Sequence, residues 1–272
     1  MLIEDTLFGT IDKVQIAICR LQFAAELAGD EGLYLAFSGG KDSQCIYHLA
    51  KEAGVKFDAH YNVTGIDPPE LVYFIREKYP DVKAEMYRKS MYKLISEKGI
   101  PPTRLIRYCC SELKERGGVG RICVTGVRWS ESTRRKNNRN AFEVVTRNTK
   151  EKALFNDNDD DRRQFEVCQL KGKKVINPII DWTAEDVWDF LNSMEIEHCC
   201  LYDEGFERIG CIGCPMAGIK GREREFARYP KFKDYYIRAF GKMLEVRKAK
   251  GKVDTNTNWD TAEGVFNWWM SK

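Results

Sequence analysis

The sequence predicts an α/β fold, an open and mainly parallel sheet with helices on both faces, followed by a C-terminal segment that carries cysteines. Three observations predict it. Short apolar runs alternate with helical patterns between residues 31 and 127, as parallel strands joined by crossover helices do. One of these runs, residues 32–37, ends in Ser38-Gly39-Gly40 and opens directly into a helical pattern, giving strand, glycine loop and helix in succession. Apolar residues make up 43% of the 272, an ordinary globular share, and no apolar run nears the roughly 18 residues of a membrane span.

The elements follow in order. Residues 10–28 place Ile11, Val14, Ile18, Leu21 and Ala25 on one side of a helix. After the strand at 32–37, a helix over 42–53 is stopped by Gly54. Residues 55–63 read as a strand, 68–79 as a helix, 82–87 as a strand and 90–98 as a helix. A buried strand at 121–127 delivers the basic segment 128–139 to the C-terminal edge of the sheet, where ligands of open α/β sheets sit. Short β-like runs at 142–146 and 165–170 flank the acidic cluster 156–161. That cluster lacks the glycine and distal glutamate of a calcium loop, so it reads as a hairpin tip. Thr183 caps a further helix, with Asp186 as its reciprocal partner. The chain divides into an N-terminal helix (1–30), a main body (31–215) and a C-terminal helical extension (216–272).

Charge and cysteine content narrow the function. The net charge of +3 comes from 44 basic and 41 acidic residues, too mild an excess to imply nucleic acid. Locally, Arg128, Arg134, Arg135, Lys136 and Arg139 face only Glu131; they would meet phosphates or form a solvated loop. A core of this size needs no disulfides, and Met1-Leu2-Ile3-Glu4-Asp5 has no secretory character. The expectation is a cytoplasmic protein without a membrane partner. Its ten cysteines then point to metal or catalysis.

Ser38-Gly39-Gly40-Lys41-Asp42-Ser43 brings free backbone N–H groups and a positive helix end to one point, which suits a pyrophosphate. Gly39 and Gly40 permit close approach, and Ser38 and Ser43 can donate hydroxyls. The Walker spacing is absent. Cys109-Cys110 and Cys211-Ile212-Gly213-Cys214 form two short pairs able to reach one centre. Four thiolates suit zinc or an iron–sulfur cluster; adjacent cysteines crowd a single ion, whereas a cubane offers each sulfur its own iron. Cys19, Cys45 and Cys123 read as small apolar side chains. Cys199 and Cys200 are either a reactive thiol pair or buried side chains.

The hexapeptide resembles the PP-loop of the adenine nucleotide alpha-hydrolase superfamily, and further segments resemble its phosphoadenosine phosphosulfate (PAPS) reductase family. These are Thr64-Gly65 with Pro68-Pro69-Glu70, Thr125-Gly126-Val127-Arg128 followed by Ser130, Ser132, Arg134 and Arg135, Asn177 to Thr183, and Leu201 to Phe206 leading to Cys211. The resemblance implies an adenine nucleotide, either ATP or adenylyl sulfate/PAPS, held by Ser38, Gly39, Gly40, Lys41, Asp42, Ser43, Gly65, Gly126, Arg128, Arg134 and Arg135. Lys41, Asp42 and Arg128 would be catalytic, with Mg2+ positioned by Asp42. The cysteine pairs resemble the 4Fe-4S ligands of the adenylyl-sulfate reductase branch, implying Cys109, Cys110, Cys211 and Cys214 as ligands.

The family's reductases use a cysteine in a C-terminal Glu-Cys-Gly-Leu-His motif. Here the last cysteine is Cys214, and the stretch from Asn258 to Lys272 carries Trp259, Trp268 and Trp269, an aromatic group read as core. The leading expectation is therefore attack on the α-phosphate of ATP with pyrophosphate release, in sulfur transfer to an acceptor that includes a nucleic acid, with Arg222, Arg224 and Arg228 adding basic surface. A sulfur-donor protein or thiol reductant is the further partner. The alternatives are sulfonucleotide reduction with Cys199 or Cys200 as the thiol, and a nucleotide-binding subunit without turnover.

Overall fold

The computed structural model describes residues 2–7, 9–146, 151–251 and 259–272; Met1 and Phe8 of the expected N-terminal segment and Asn258 of the aromatic stretch lie outside the described residues. The chain divides into two compact units, one of residues 1–61, 73–84 and 118–203, the other of residues 62–72, 85–117 and 204–272.

The first unit opens with an antiparallel hairpin, β1 (Ile3–Thr6) and β2 (Gly9–Asp12), and the helix α1 (Lys13–Ala28). The helix expected from residue 10 starts at 13 because the Asp12 carboxylate accepts from the amides of Val14 and Gln15, 2.9 and 3.0 Å away, and so caps it there. Ile11, expected on the packed side, lies in β2 and is 38% exposed.

Next come β3 (Leu33–Phe37), α2 (Lys41–Glu52), β4 (Phe57–Val63), α3 (Pro69–Lys78), β5 (Lys83–Met86), α4 (Met91–Lys98) and α5 (Tyr108–Leu113). They are followed by β6 (Cys123–Val124), α6 (Thr133–Asn138), β7 (Phe142–Val145), β8 (Lys152–Phe155), α7 (Asp159–Val167), β9 (Lys173–Ile176) and α8 (Ala184–Ser193). The seven-stranded sheet runs β5-β4-β3-β6-β9-β7-β8. Strands β4, β3, β6 and β9 are mutually parallel, while β7 and β8 close the edge antiparallel. The sheet is thus mainly parallel with helices around it, as expected. Because β4 and β6 lie on opposite sides of β3, the carboxyl ends of β3 and β6 form a switch point, the usual ligand crevice of such sheets.

Three expectations change here. The strand expected at 121–127 narrows to Cys123–Val124. The acidic cluster is no hairpin tip, and residues 165–170 are no strand. Asn158 caps α7 through the amide of Asp161 at 2.9 Å, and Asp159, Asp160 and Asp161 fill its first turn, where the helix dipole favours negative charge. The strands β8 and β9 take up the flanking chain instead.

The second unit is helical: α4 and α5 with α9 (Gly218–Arg228), α10 (Pro230–Ala249) and α11 (Ala262–Met270). Its core is strongly aromatic, gathering Tyr108, Phe226, Tyr236, Phe240, Phe266 and Trp269 around Leu94 and Met243. Trp269 is fully buried and stacks on Tyr236 at 4.8 Å, so the C-terminal aromatics are core, as read. Among the described residues no helix is long and apolar enough to cross a membrane.

Candidate nucleotide and cysteine sites

In the first unit the chain leaves β3 through Ser38, turns at Gly39 with φ of +71°, and enters α2 at Gly40. That positive φ is a conformation only glycine adopts freely. Gly40 caps the helix without a side chain, and the Ser43 amide turns onto the Gly40 carbonyl at 2.9 Å. The loop is held from inside: the Ser43 hydroxyl donates to the Gly40 carbonyl at 2.8 Å and accepts from the Ser38 amide at 3.1 Å. The amide of Lys41 instead donates to the hydroxyl of Tyr202 at 2.9 Å.

Charge converges on the same turn. Asp42 accepts from Arg128 Nε at 2.7 Å through one oxygen and pairs with Lys41 Nζ at 3.2 Å through the other. Arg128 is 4% exposed; its Nη1 donates to the Ser130 hydroxyl at 2.7 Å, and its Nη2 makes no hydrogen bond among the described residues. Gly126 explains how β6 delivers this arginine, since a Cβ there would lie 2.9 Å from the Asp42 carbonyl oxygen. Two buried cations around one carboxylate leave a net positive corner at a helix N-terminus, an arrangement that suits a phosphate chain. Arg134 and Arg135 stand apart from it on α6, where Arg134 is exposed and Arg135 pairs with Glu131.

Gly65 and all four expected metal-ligating cysteines belong to the second unit. Gly65 has φ of +74° in a turn closed by Asp67, which accepts from the Thr64 amide at 3.1 Å and the Thr64 hydroxyl at 2.8 Å. Cys211 Sγ approaches both Thr64 and Asp67 at 3.6 Å. Cys109 and Cys110 open α5. Cys109 is raised by its hydrogen bond with Cys110 and by burial; Cys110 is lowered by the same bond and by Arg107, whose Nη2 lies 3.3 Å from its sulfur. Burial pushes Cys211 up to about 11 against the opposing charge of Lys114. The Cys211-Cys214 turn rests on aromatic rings: Gly213 has φ of +73°, and a Cβ there would meet Phe226 at 2.6 Å. Its amide donates to Glu225 at 2.7 Å, and burial pushes that carboxyl up to about 7. Among the described residues no three His, Cys, Asp or Glu side chains form a group able to hold a metal ion.

The sequence model of the phosphoadenosine phosphosulfate reductase domain matches residues 32–217. The chain belongs to that family. A PAPS reductase-family chain with this sequence is 27% identical to an uncharacterised protein of Methanocaldococcus jannaschii over 249 residues, 89% of this chain and 54% of that protein. It is 23% identical to an adenosine 5'-phosphosulfate reductase of Staphylococcus haemolyticus, over 82% of this chain and 86% of the relative. It is also 25% identical to a probable FAD synthase of Schizosaccharomyces pombe, over 77% of this chain and 70% of the relative. The chain therefore spans about half the length of the archaeal relative and most of the other two.

Within this family member, sequence reasoning missed Tyr202, Asp67 and Glu225 as neighbours of the expected sites. Asp67 had a signal in its spacing, three residues after Thr64, where a carboxylate can reach back to the earlier amide as in a capping box. Tyr202 lay within the Leu201 to Phe206 segment, but its contact with Lys41, 161 residues away, left no local trace, and Glu225 had no signal, because its contact with Gly213 joins a helix to a preceding turn. The basic surface expected from Arg222, Arg224 and Arg228 is largely spent inside the second unit. Arg222 is fully buried and donates to the Trp269 and Met270 carbonyls at 2.9 and 3.1 Å, Arg224 donates to Gly205 at 2.8 Å, and Arg228 pairs with Glu70 at 2.9 Å.

Proposed function

We propose that this PAPS reductase-family protein binds ATP with its phosphates on the Ser38–Ser43 loop and directs an acceptor oxygen to the α-phosphorus, releasing pyrophosphate and activating the acceptor for sulfur transfer. The observation that carries the reading is the Lys41–Asp42–Arg128 corner at the start of α2. In the attack one bond forms from the acceptor to the α-phosphorus and the bond to the β-phosphate oxygen breaks. The departing pyrophosphate gains negative charge, which Lys41, Arg128 and the loop amides stabilise. Both Asp42 oxygens are engaged by cations, so magnesium fits as an ion arriving with the triphosphate better than as one resident on Asp42. Arg134 and Arg135 complete the proposed nucleotide set of the first unit and suit a polynucleotide acceptor as well. One relative is named a probable FAD synthase, so the names among the relatives are not confined to sulfonucleotide reduction.

A 4Fe-4S cluster is proposed on Cys109, Cys110, Cys211 and Cys214. Support comes from the donor set: the four thiols share one electrostatic neighbourhood, with Lys114 and Arg107 placed to offset thiolate charge. One zinc ion would draw all four sulfurs to about 2.3 Å from a single point, whereas a cubane takes one sulfur per iron, which suits the adjacent residues Cys109 and Cys110. When bound, such a cluster would supply a redox centre and tie α5 to the Cys211–Cys214 turn.

Sulfonucleotide reduction is the second reading, favoured by the relatives named adenosine 5'-phosphosulfate reductase. Of the two cysteines considered for its thiol, Cys200 is exposed and Cys199 is buried. One experiment separates the two readings. Anaerobically purified protein is incubated with ATP, adenylyl sulfate or PAPS, with a thiol reductant, and pyrophosphate and sulfite are assayed, with and without DNA or RNA. Pyrophosphate from ATP that depends on Lys41 and Arg128 is the expected result. Sulfite from a sulfonucleotide would replace the first reading with the second.

A further inference from the structure

We infer that Tyr202 is a phosphate-positioning residue, its hydroxyl extending the anion site at the start of α2 by one hydrogen bond. The inference rests on the nucleotide reading above and adds a contact to it. The Lys41 amide is the first backbone donor of α2 and points at the end where an anion is held. It donates to the Tyr202 oxygen at 2.9 Å. The hydroxyl accepts this bond and donates to nothing among the described residues, so its own proton is free to be aimed onward.

An O–H whose oxygen already accepts from a helix N-terminus is polarised and becomes a stronger donor. A phosphate oxygen is the acceptor that such a donor recognises best, because hydrogen bonds to charged acceptors are the strong ones. Burial raises the Tyr202 phenol well above its ordinary value, which keeps the proton in place across the physiological range. The ring is fixed for this task. It packs edge-on against Trp188 with centroids 5.0 Å apart and against His198 at 6.0 Å, and His198 is itself paired with Asp203 at 2.9 Å. The backbone turn is fixed too, through the Tyr202 amide donating to the Cys199 carbonyl at 3.0 Å.

The competing view is that the hydroxyl is a plug, occupying the Lys41 amide in place of a phosphate oxygen. The two views predict opposite signs for one substitution. Tyr202→Phe keeps the ring contacts, removes the hydroxyl and frees the Lys41 amide. Calorimetric titration of the wild-type chain, Tyr202→Phe and Lys41→Ala with inorganic pyrophosphate, ATP and adenosine reads the difference. The expected result is pyrophosphate and ATP binding weakened about tenfold or more in Tyr202→Phe, with adenosine binding and melting temperature unchanged. Equal or tighter pyrophosphate binding by Tyr202→Phe, beside a wild type that binds and a Lys41→Ala variant that does not, overturns the positioning role alone. Pyrophosphate and ATP binding that is absent in the wild type, or indifferent to Lys41→Ala, overturns the nucleotide-loop reading and this inference with it.

Discussion

At the scale of single residues, the site depends on backbones that come too close for side chains. Gly126 passes so near α2 that a methyl group would sit 2.9 Å from the Asp42 carbonyl oxygen and 3.1 Å from its Cβ. The neighbour is backbone at the first turn of a helix and cannot swing aside, so the strand end or the helix must shift. Gly126→Ala is expected to lower stability by about 1–3 kcal/mol and to weaken ATP binding at least about tenfold by displacing Asp42 from Arg128. Paired denaturant and nucleotide titrations check this; wild-type affinity in the variant would show that the approach of the two backbones does not hold the corner together. The glycine was legible as a candidate from its motif, yet its physical reason was not, because the atom it spares lies far upstream in the chain.

At the scale of elements, helix ends were the most legible feature of the sequence and are the simplest to test. Thr183 accepts from the Asp186 amide at 3.1 Å while Asp186 accepts from the Thr183 amide at 2.8 Å, the reciprocal pair expected from spacing alone. The tertiary structure adds that Asp186 is fully buried and also accepts from Lys13 Nζ at 2.9 Å, which joins the start of α8 to the start of α1. Thr183→Ala is expected to cost about 1 kcal/mol in urea unfolding with little change in the slope. Strand assignment fared worse where helix and strand patterns overlap. Phe165 is fully buried and looked like a strand residue, but the cap at Asn158 and the acids after it commit that stretch to α7. The antiparallel edge of β7 and β8 was likewise hidden, since a short alternating run carries no record of which neighbour it pairs with.

For the molecule as a whole, pH-dependent stability follows from a buried polar network in the first unit. Gln44 donates to the Tyr79 hydroxyl at 2.8 Å, and His48 Nε2 lies 3.1 Å from the same oxygen. Burial, with the nearby charge of Lys51, lowers His48 from 6.5 to about 4. In the unfolded chain the imidazole regains its ordinary value, so between these limits the unfolded state binds more protons than the folded state. The stability associated with neutral His48 is fully present above about pH 6.5 and is lost as pH falls toward about 4. Melting temperatures measured across this range are expected to drop for the wild type and to drop less for His48→Gln. Equal slopes for the two proteins would remove His48 from the account.

The sequence by itself determined the mainly parallel sheet, the strand–loop–helix turn at Ser38–Ser43, the cap of α8 and the membership of all these pieces in one family pattern. Each is encoded within a few neighbouring residues, by periodicity, by glycine at a sharp turn or by a polar side chain opposite a free amide. Only the tertiary structure decided that Asp42 lies between Lys41 and Arg128, that Tyr202 meets the first amide of α2, that Gly213 rests on Phe226 and Trp269, and that Arg222 is buried against the end of α11. Apart from the adjacent Lys41 and Asp42, these contacts join residues of separate elements. Their existence depends on which surfaces the packed elements present to one another, and local spacing carries no information about that.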